Sequence, residues 1–213
     1  KDVLFPFIFE ECLSYPDELV KLTSIARLQL SAKKHSFTPS EIAKVLKLTS
    51  DPSRRVTLES IDLIALLPRN KGIDERFRLL MSNRDPVIAA ESLNAAWGYF
   101  KGKGDVREIC LQIAARSFDW APRVAAINLI GLHMPDEGAG ILFDNLTNSR
   151  RQVRAATFEA LTYLRRKETV DALLSRLKHE QGITQHVLRA CLKSLTNFDW
   201  GAKEERWLTW WGK

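Results

Sequence analysis

The chain has 213 residues, 45% hydrophobic and 27% charged, with a formal net charge of +6, which are the proportions of an ordinary folded protein and exclude a low-complexity polymer. Its longest uncharged run, residues 124–135, holds twelve residues, well short of the ~20 that a membrane-spanning helix needs. No transmembrane span is therefore expected.

In chain order, residues 1–16 open with the apolar run Val3, Leu4, Phe5, Phe7, Ile8 and Phe9, interrupted by Pro6. This run is expected either to cap the first repeat or to belong to an upstream region. From residue 17 to 213 a single frame comes round six times: a β-branched or similar residue, a small residue four later, a large apolar one beside it, and another three further on. Its members are Val20, Ser24, Ile25, Leu28; Val56, Ser60, Ile61, Ile64; Ile88, Ser92, Leu93, Ala96; Pro122, Ala126, Ile127, Ile130; Val153, Thr157, Phe158, Leu161; and Val187, Cys191, Leu192, Leu195. Successive first members are 36, 32, 34, 31 and 34 residues apart, the period of a stacked two-helix unit rather than of a heptad. Offsets of four, five and eight put each frame on one helical stripe, where the small residue lets a neighbouring helix come close.

A second frame follows each of the last five: Ile73, Phe77, Leu80; Val106, Ile109, Cys110, Ile113; Gly138, Ile141, Leu142; Val170, Leu173, Leu174, Leu177; and Trp207, Leu208, Trp211. The first repeat is looser, with Thr38, Pro39 and Ser40 opening a second helix that carries Ile42, Val45 and Leu46. Breakers separate the helices of a repeat: Pro68 and Asn70, Gly102 and Gly104, Pro135 and Asp136, and Gly201. The expected fold is all-α, a right-handed α-α superhelix of the HEAT/armadillo solenoid type with about six two-helix repeats.

The stretch from Val153, Arg154, Ala155 and Ala156 through Glu159, Ala160 and Leu161 to Val170, Leu173, Leu174 and Leu177 resembles the HEAT-like repeats named after the phycobilisome lyases. The corners Asp51-Pro52 and Asp85-Pro86 are similar to that pattern's entry into a first helix. The resemblance covers nearly the whole chain and specifies architecture, not activity. It implies a superfold shared by scaffolds, bilin lyases, a metal-dependent hydroxylase and DNA glycosylases. The hydroxylase pattern, a His-Glu pair in each repeat, is not met: only His179 and Glu180 are adjacent, and His35, His133 and His186 have no Glu neighbour. His179 and Glu180, at a helix end near Gly182, read as solvated groups serving the helix dipole.

No phosphate loop, nucleophile elbow or Cys-x-x-Cys is present, so no catalytic residue, metal or cofactor is assigned. Cys12, Cys110 and Cys191 are odd in number and lack metal spacing; Cys110 and Cys191 fall on the apolar stripes and are expected in the core. The sequence starts with Lys1 and Asp2, which reads as a processed or trimmed product and leaves the compartment open.

Residues 151–213 hold 12 Lys and Arg against 7 Asp and Glu. Arg150, Arg151 and Arg154 cluster at one corner and Arg165, Arg166 and Lys167 at the next turn, the residues through which nucleic acid would be met if they formed a stripe. Isolated basic turns more commonly serve solvation. Asp119 beside Trp120, with Arg123 a turn later, is the one local group similar to the site of the superfold's DNA glycosylases. Asp119 reads first as an N-cap with Phe118 as its staple. Phe118-Asp119-Trp120 recurs as Phe198-Asp199-Trp200, but at a different corner of the frame. At the end of the chain Trp207 and Trp211 are in register to seal the last layer, and Trp210 is not.

Second helices commonly line the concave side of solenoids. Their far-side positions read Arg78, Leu111, Phe143, Ser175, Thr209 and Leu79, Gln112, Asp144, Arg176, Trp210. Large apolar groups outnumber cations there, so the expected partner site comprises Arg78, Leu79, Leu111, Gln112, Phe143, Asp144, Arg176 and Trp210, centred on Leu111 and Phe143. The expected function is a non-enzymatic protein-binding scaffold; the alternative is a nucleic-acid-binding or glycosylase-like protein of the same architecture.

Overall fold

The computed structural model describes residues 4–201 and 203–212, so Lys1, Asp2 and Val3 lie outside the described residues. Those residues form thirteen α-helices and two 3-10 turns and contain no strand. No helix among them is long and apolar enough to cross a membrane. The chain divides into two compact units, residues 1–106 and 107–213.

The first unit holds α1 (Leu4–Glu10), α2 (Glu18–Ser31), α3 (Pro39–Leu48), α4 (Arg54–Leu66), α5 (Lys71–Met81) and α6 (Pro86–Phe100), with α7 (Asp105–Arg116) running across the boundary. The second unit continues with α8 (Trp120–His133), α9 (Ala139–Asn145), α10 (Arg151–Leu161), α11 (Lys167–Arg176), α12 (Gly182–Thr196) and α13 (Glu204–Trp211). Every first-frame segment thus becomes an even-numbered helix and every second-frame segment an odd-numbered one. The starts in the first unit follow from side-chain caps. Thr38 and Glu41 form a full capping box ahead of α3, and Asp85 accepts the N–H groups of Val87 and Ile88 with Pro86 in the first turn of α6.

The first frame is the core. All its members are buried except Val20, Val187 and Leu195, which belong to the outermost repeats. Its small polar members are satisfied within their own helices. The hydroxyls of Ser24, Ser60, Ser92 and Thr157 donate to the carbonyls of Val20, Val56, Ile88 and Val153 at 2.7, 2.7, 2.6 and 2.8 Å. A hydroxyl bonded to the carbonyl four residues back leaves no desolvated donor, so Ser and Thr serve here as well as Ala.

These stripes let first helices stack directly: α2 on α4 and α4 on α6 in the first unit, α8 on α10 and α10 on α12 in the second. The approach of α8 and α10 is close at Gly131, where an added Cβ would lie 2.7 Å from the Ala160 backbone Cα. The odd-numbered helices pack back onto this layer through Ile73, Phe77, Leu80, Val106, Cys110, Leu142, Val170, Leu173, Leu174 and Leu177, all buried.

At the ends, Phe5, Ile8, Phe9 and Leu13 are buried, and the Phe5 ring stacks on His35 with centroids 4.1 Å apart. At the other end Trp207 is fully buried, its indole N–H donating to the Gly201 carbonyl at 2.8 Å. That bond sets the rotation of α13 and turns Leu208 outward, so Leu208 is exposed rather than part of the expected stripe.

Two outcomes are expected. Gly131→Ala would ordinarily strengthen a helix by up to about 1 kcal/mol, but overpacking costs about 1–3 kcal/mol, so a net loss of about 1–2 kcal/mol should appear as a lower thermal midpoint. An unchanged midpoint would mean that α8 and α10 are not so closely apposed. Burial pushes the Cys110 and Cys191 thiols up to about 12, so a thiol reagent at mildly alkaline pH should label only the half-buried Cys12 until the chain unfolds. The unfolded thiols ionise first, so these two groups should lower stability as pH rises from about 9 towards about 12.

Candidate functional site

The second-helix surface is built differently in the two units. In the first, α3 and α5 leave an open groove of about 420 Å³ lined by Ala43, Leu46, Lys47 and Ser50 on one side and Gly72, Glu75, Arg76 and Leu79 on the other. The Arg76 guanidinium donates to Thr49 and Ser50 and ties the two helices together. Leu79 stands in this groove 66% exposed. Its neighbour Arg78 is drawn to Asp105 at 2.7 Å and holds that carboxyl below its usual range.

In the second unit Gln112 and Asp144 are exposed, whereas Leu111 and Phe143 are only half-exposed. Trp210 is half-buried among the rings of Phe198, Trp200, Trp207 and Trp211. With Trp200, Glu205, Arg206 and Thr209 it also lines an open recess of about 500 Å³. Arg176 turns to Glu180 at 3.0 Å.

Glu180 departs from the expected solvated role: it is 1% exposed. Arg154 grips it with two bonds of 2.7 and 2.9 Å, and the same guanidinium donates to the Asn148 and Ser149 carbonyls at 2.7 and 3.2 Å. One frame earlier Arg123 does the same work without a carboxylate, reaching Asn145 Oδ1 at 2.9 Å and the Ser117 and Ala115 carbonyls at 3.1 and 3.2 Å. In the first unit Lys21 pairs with Asp51 at 2.6 Å. All three basic residues follow the first frame member directly, and each reaches the corner that closes its own repeat. Their recurrence at one frame position was the signal available in the sequence; reading Arg154 as part of a charge cluster and Arg123 as part of a local group with Asp119 and Trp120 missed it.

The basic clusters are therefore divided. Arg154 and Arg166 are engaged internally, the latter with Asp136, while Arg150, Arg151, Arg165 and Lys167 are exposed and carry no ion pair among the described residues. The expected cap and staple at Asp119 are also corrected. Asp119 makes no side-chain cap bond, and Phe118 is 91% exposed rather than folded onto α8. Among the described residues no group of three or more His, Cys, Asp or Glu is placed to hold a metal ion.

Glu180→Ala would strand two guanidiniums. Breaking a buried pair costs about 3–5 kcal/mol, and Arg154 and Arg176 keep 19% and 20% of their side-chain surface, so a loss near the lower end, about 3 kcal/mol, is expected in denaturant titration. His179→Ala, at an exposed neighbour, should stay within about 0.5 kcal/mol. Equal effects would show that Glu180 is not the clamp. Compared with known proteins, the chain matches no family model and no curated protein.

Proposed function

We propose that the chain is a protein-binding module of the HEAT-like helical-repeat type, without catalytic chemistry of its own, which takes a peptide or partner segment on its second-helix surface. The period of the frames and the packing of paired helices within each unit support the repeat reading. The observation that carries the functional reading is Leu79: a large apolar side chain 66% exposed in an open groove. Burying such a side chain is worth about 1.5–3 kcal/mol, which a partner segment laid between α3 and α5 would gain. Lys47 and Glu75 on the groove walls supply a polar rim of both signs. A nucleic-acid strand would need cations in most repeats, and on these rows Arg78 and Arg176 are both paired with carboxylates.

Panning a displayed random-peptide library on the purified chain tests this. Peptides selected on the wild type should bind Leu79→Asp at least about tenfold more weakly, because the apolar contact is lost and a charge would be desolvated. Thermal midpoints should match, since Leu79 is exposed. Unchanged affinity in a folded Leu79→Asp variant sinks the proposal.

A further inference from the structure

The second unit has a recess at the edge where α8 and α10 begin. It encloses about 440 Å³ and is lined by Arg116, Phe118, Trp120, Arg123, Ser149 and Arg150 among others, with no Asp or Glu in the lining. We infer that this recess is a binding site for a phosphorylated serine or threonine in a peptide, with an apolar neighbour of that residue held against Phe118 and Trp120.

The charge has no internal use at two of the three guanidiniums. Arg116 and Arg150 are exposed and carry no ion pair among the described residues. Arg123 is held rigid by its bonds to Asn145 and two carbonyls, none of them a carboxylate, so its positive charge is not neutralised. Arg150 stands just before α10 and makes no side-chain cap there, so its guanidinium is not engaged at the helix start. Three cations around one recess, one of them held rigid, match a dianion with three acceptor oxygens better than a single carboxylate. Asp119, the nearest acid in sequence, is exposed and outside the lining.

The rings supply the second half of the site. Phe118 is 91% and Trp120 44% exposed beside the cations, and covering them would add apolar contact to a charge-assisted one. A nucleic-acid strand fits less well, because it needs a track of cations rather than one focus. Arg107, Arg154, Arg166, Arg176 and Arg189 are all committed to internal carboxylates. The other basic recess, at Arg165 and Lys167, opens at the far end of α10, roughly 16 Å away for a helix of that length.

The inference rests on reading the chain as a peptide-binding module, but it uses a surface in the other unit, so the two can fail separately. The probe is a fluorescein-labelled peptide pool with one fixed phosphoserine and random flanks, alongside its unphosphorylated twin. Anisotropy is measured on wild type, Arg116→Ala, Arg150→Ala, Phe118→Ala and Leu79→Asp, each with its thermal midpoint. The phosphorylated pool should bind and the twin should not. Each Arg variant should weaken binding by about tenfold, the worth of one charge-assisted hydrogen bond. Phe118→Ala should weaken it too, Leu79→Asp should leave it unchanged, and the midpoints should not move. Equal binding of the twin, or full binding by both Arg variants, would overturn the site. So would inorganic phosphate competing as well as the peptide, which marks a bare anion site. An oligo-thymidine strand binding more tightly than the peptide would reassign the recess to nucleic acid.

Discussion

Everything in this structure depends on how closely two neighbouring first helices can approach. The small member of the frame removes side-chain volume that would hold their backbones apart, and beside the frame Gly131 meets Ala160 with no room for a methyl group. Dispersion and apolar burial are then collected along the whole stripe, and the second helices need only cover one side. Where the small member is Ser or Thr, the hydroxyl is spent on its own helix and makes no demand on the neighbour. The frame therefore tolerates several residue types and still yields one packing.

The ends of the helices follow a second rule. A basic residue one position into the frame reaches the close of its repeat, as Lys21, Arg123 and Arg154 each do. In the second unit the two arginines also donate to carbonyls at the preceding corner, whereas in the first unit Thr38, Ser53, Asn70 and Asp85 accept the backbone N–H groups that open their helices. Consuming guanidiniums in this way decides which charges remain for a partner. Arg154, Arg166 and Arg176 are paired within the structure, whereas Arg116 and Arg150 stand unpaired at one recess among the described residues.

The two proposed surfaces differ for that reason. Between α3 and α5 the charges are mixed and the largest exposed group is Leu79, so apolar contact dominates. At the start of α8 and α10 the aromatic rings are accompanied by cations alone. The groove between α3 and α5 is lined by no member of the first frame, and the recess at α8 and α10 touches that frame at Val153 alone.

The amino-acid sequence by itself determined the helices and nearly all of the buried stripe, because a period of 3.6 is local information and apolar burial obeys it wherever a helix forms. Caps such as Thr38 and Asp85 were legible for the same reason. Leu79 was picked out by counting round its helix, and it is exposed; Leu111 and Phe143, chosen by the same count, are half-buried. Only the tertiary structure decided that Glu180 is buried, since that required Arg154, twenty-six residues upstream, to arrive with the opposite charge. It also decided that Asp119 leaves α8 uncapped, that Phe118 faces water, and that Leu208 yields the core to Trp207. The free energy of a charge or a ring is set by the neighbours that folding brings to it, as Arg154 is brought to Glu180, rather than by its own place in the sequence.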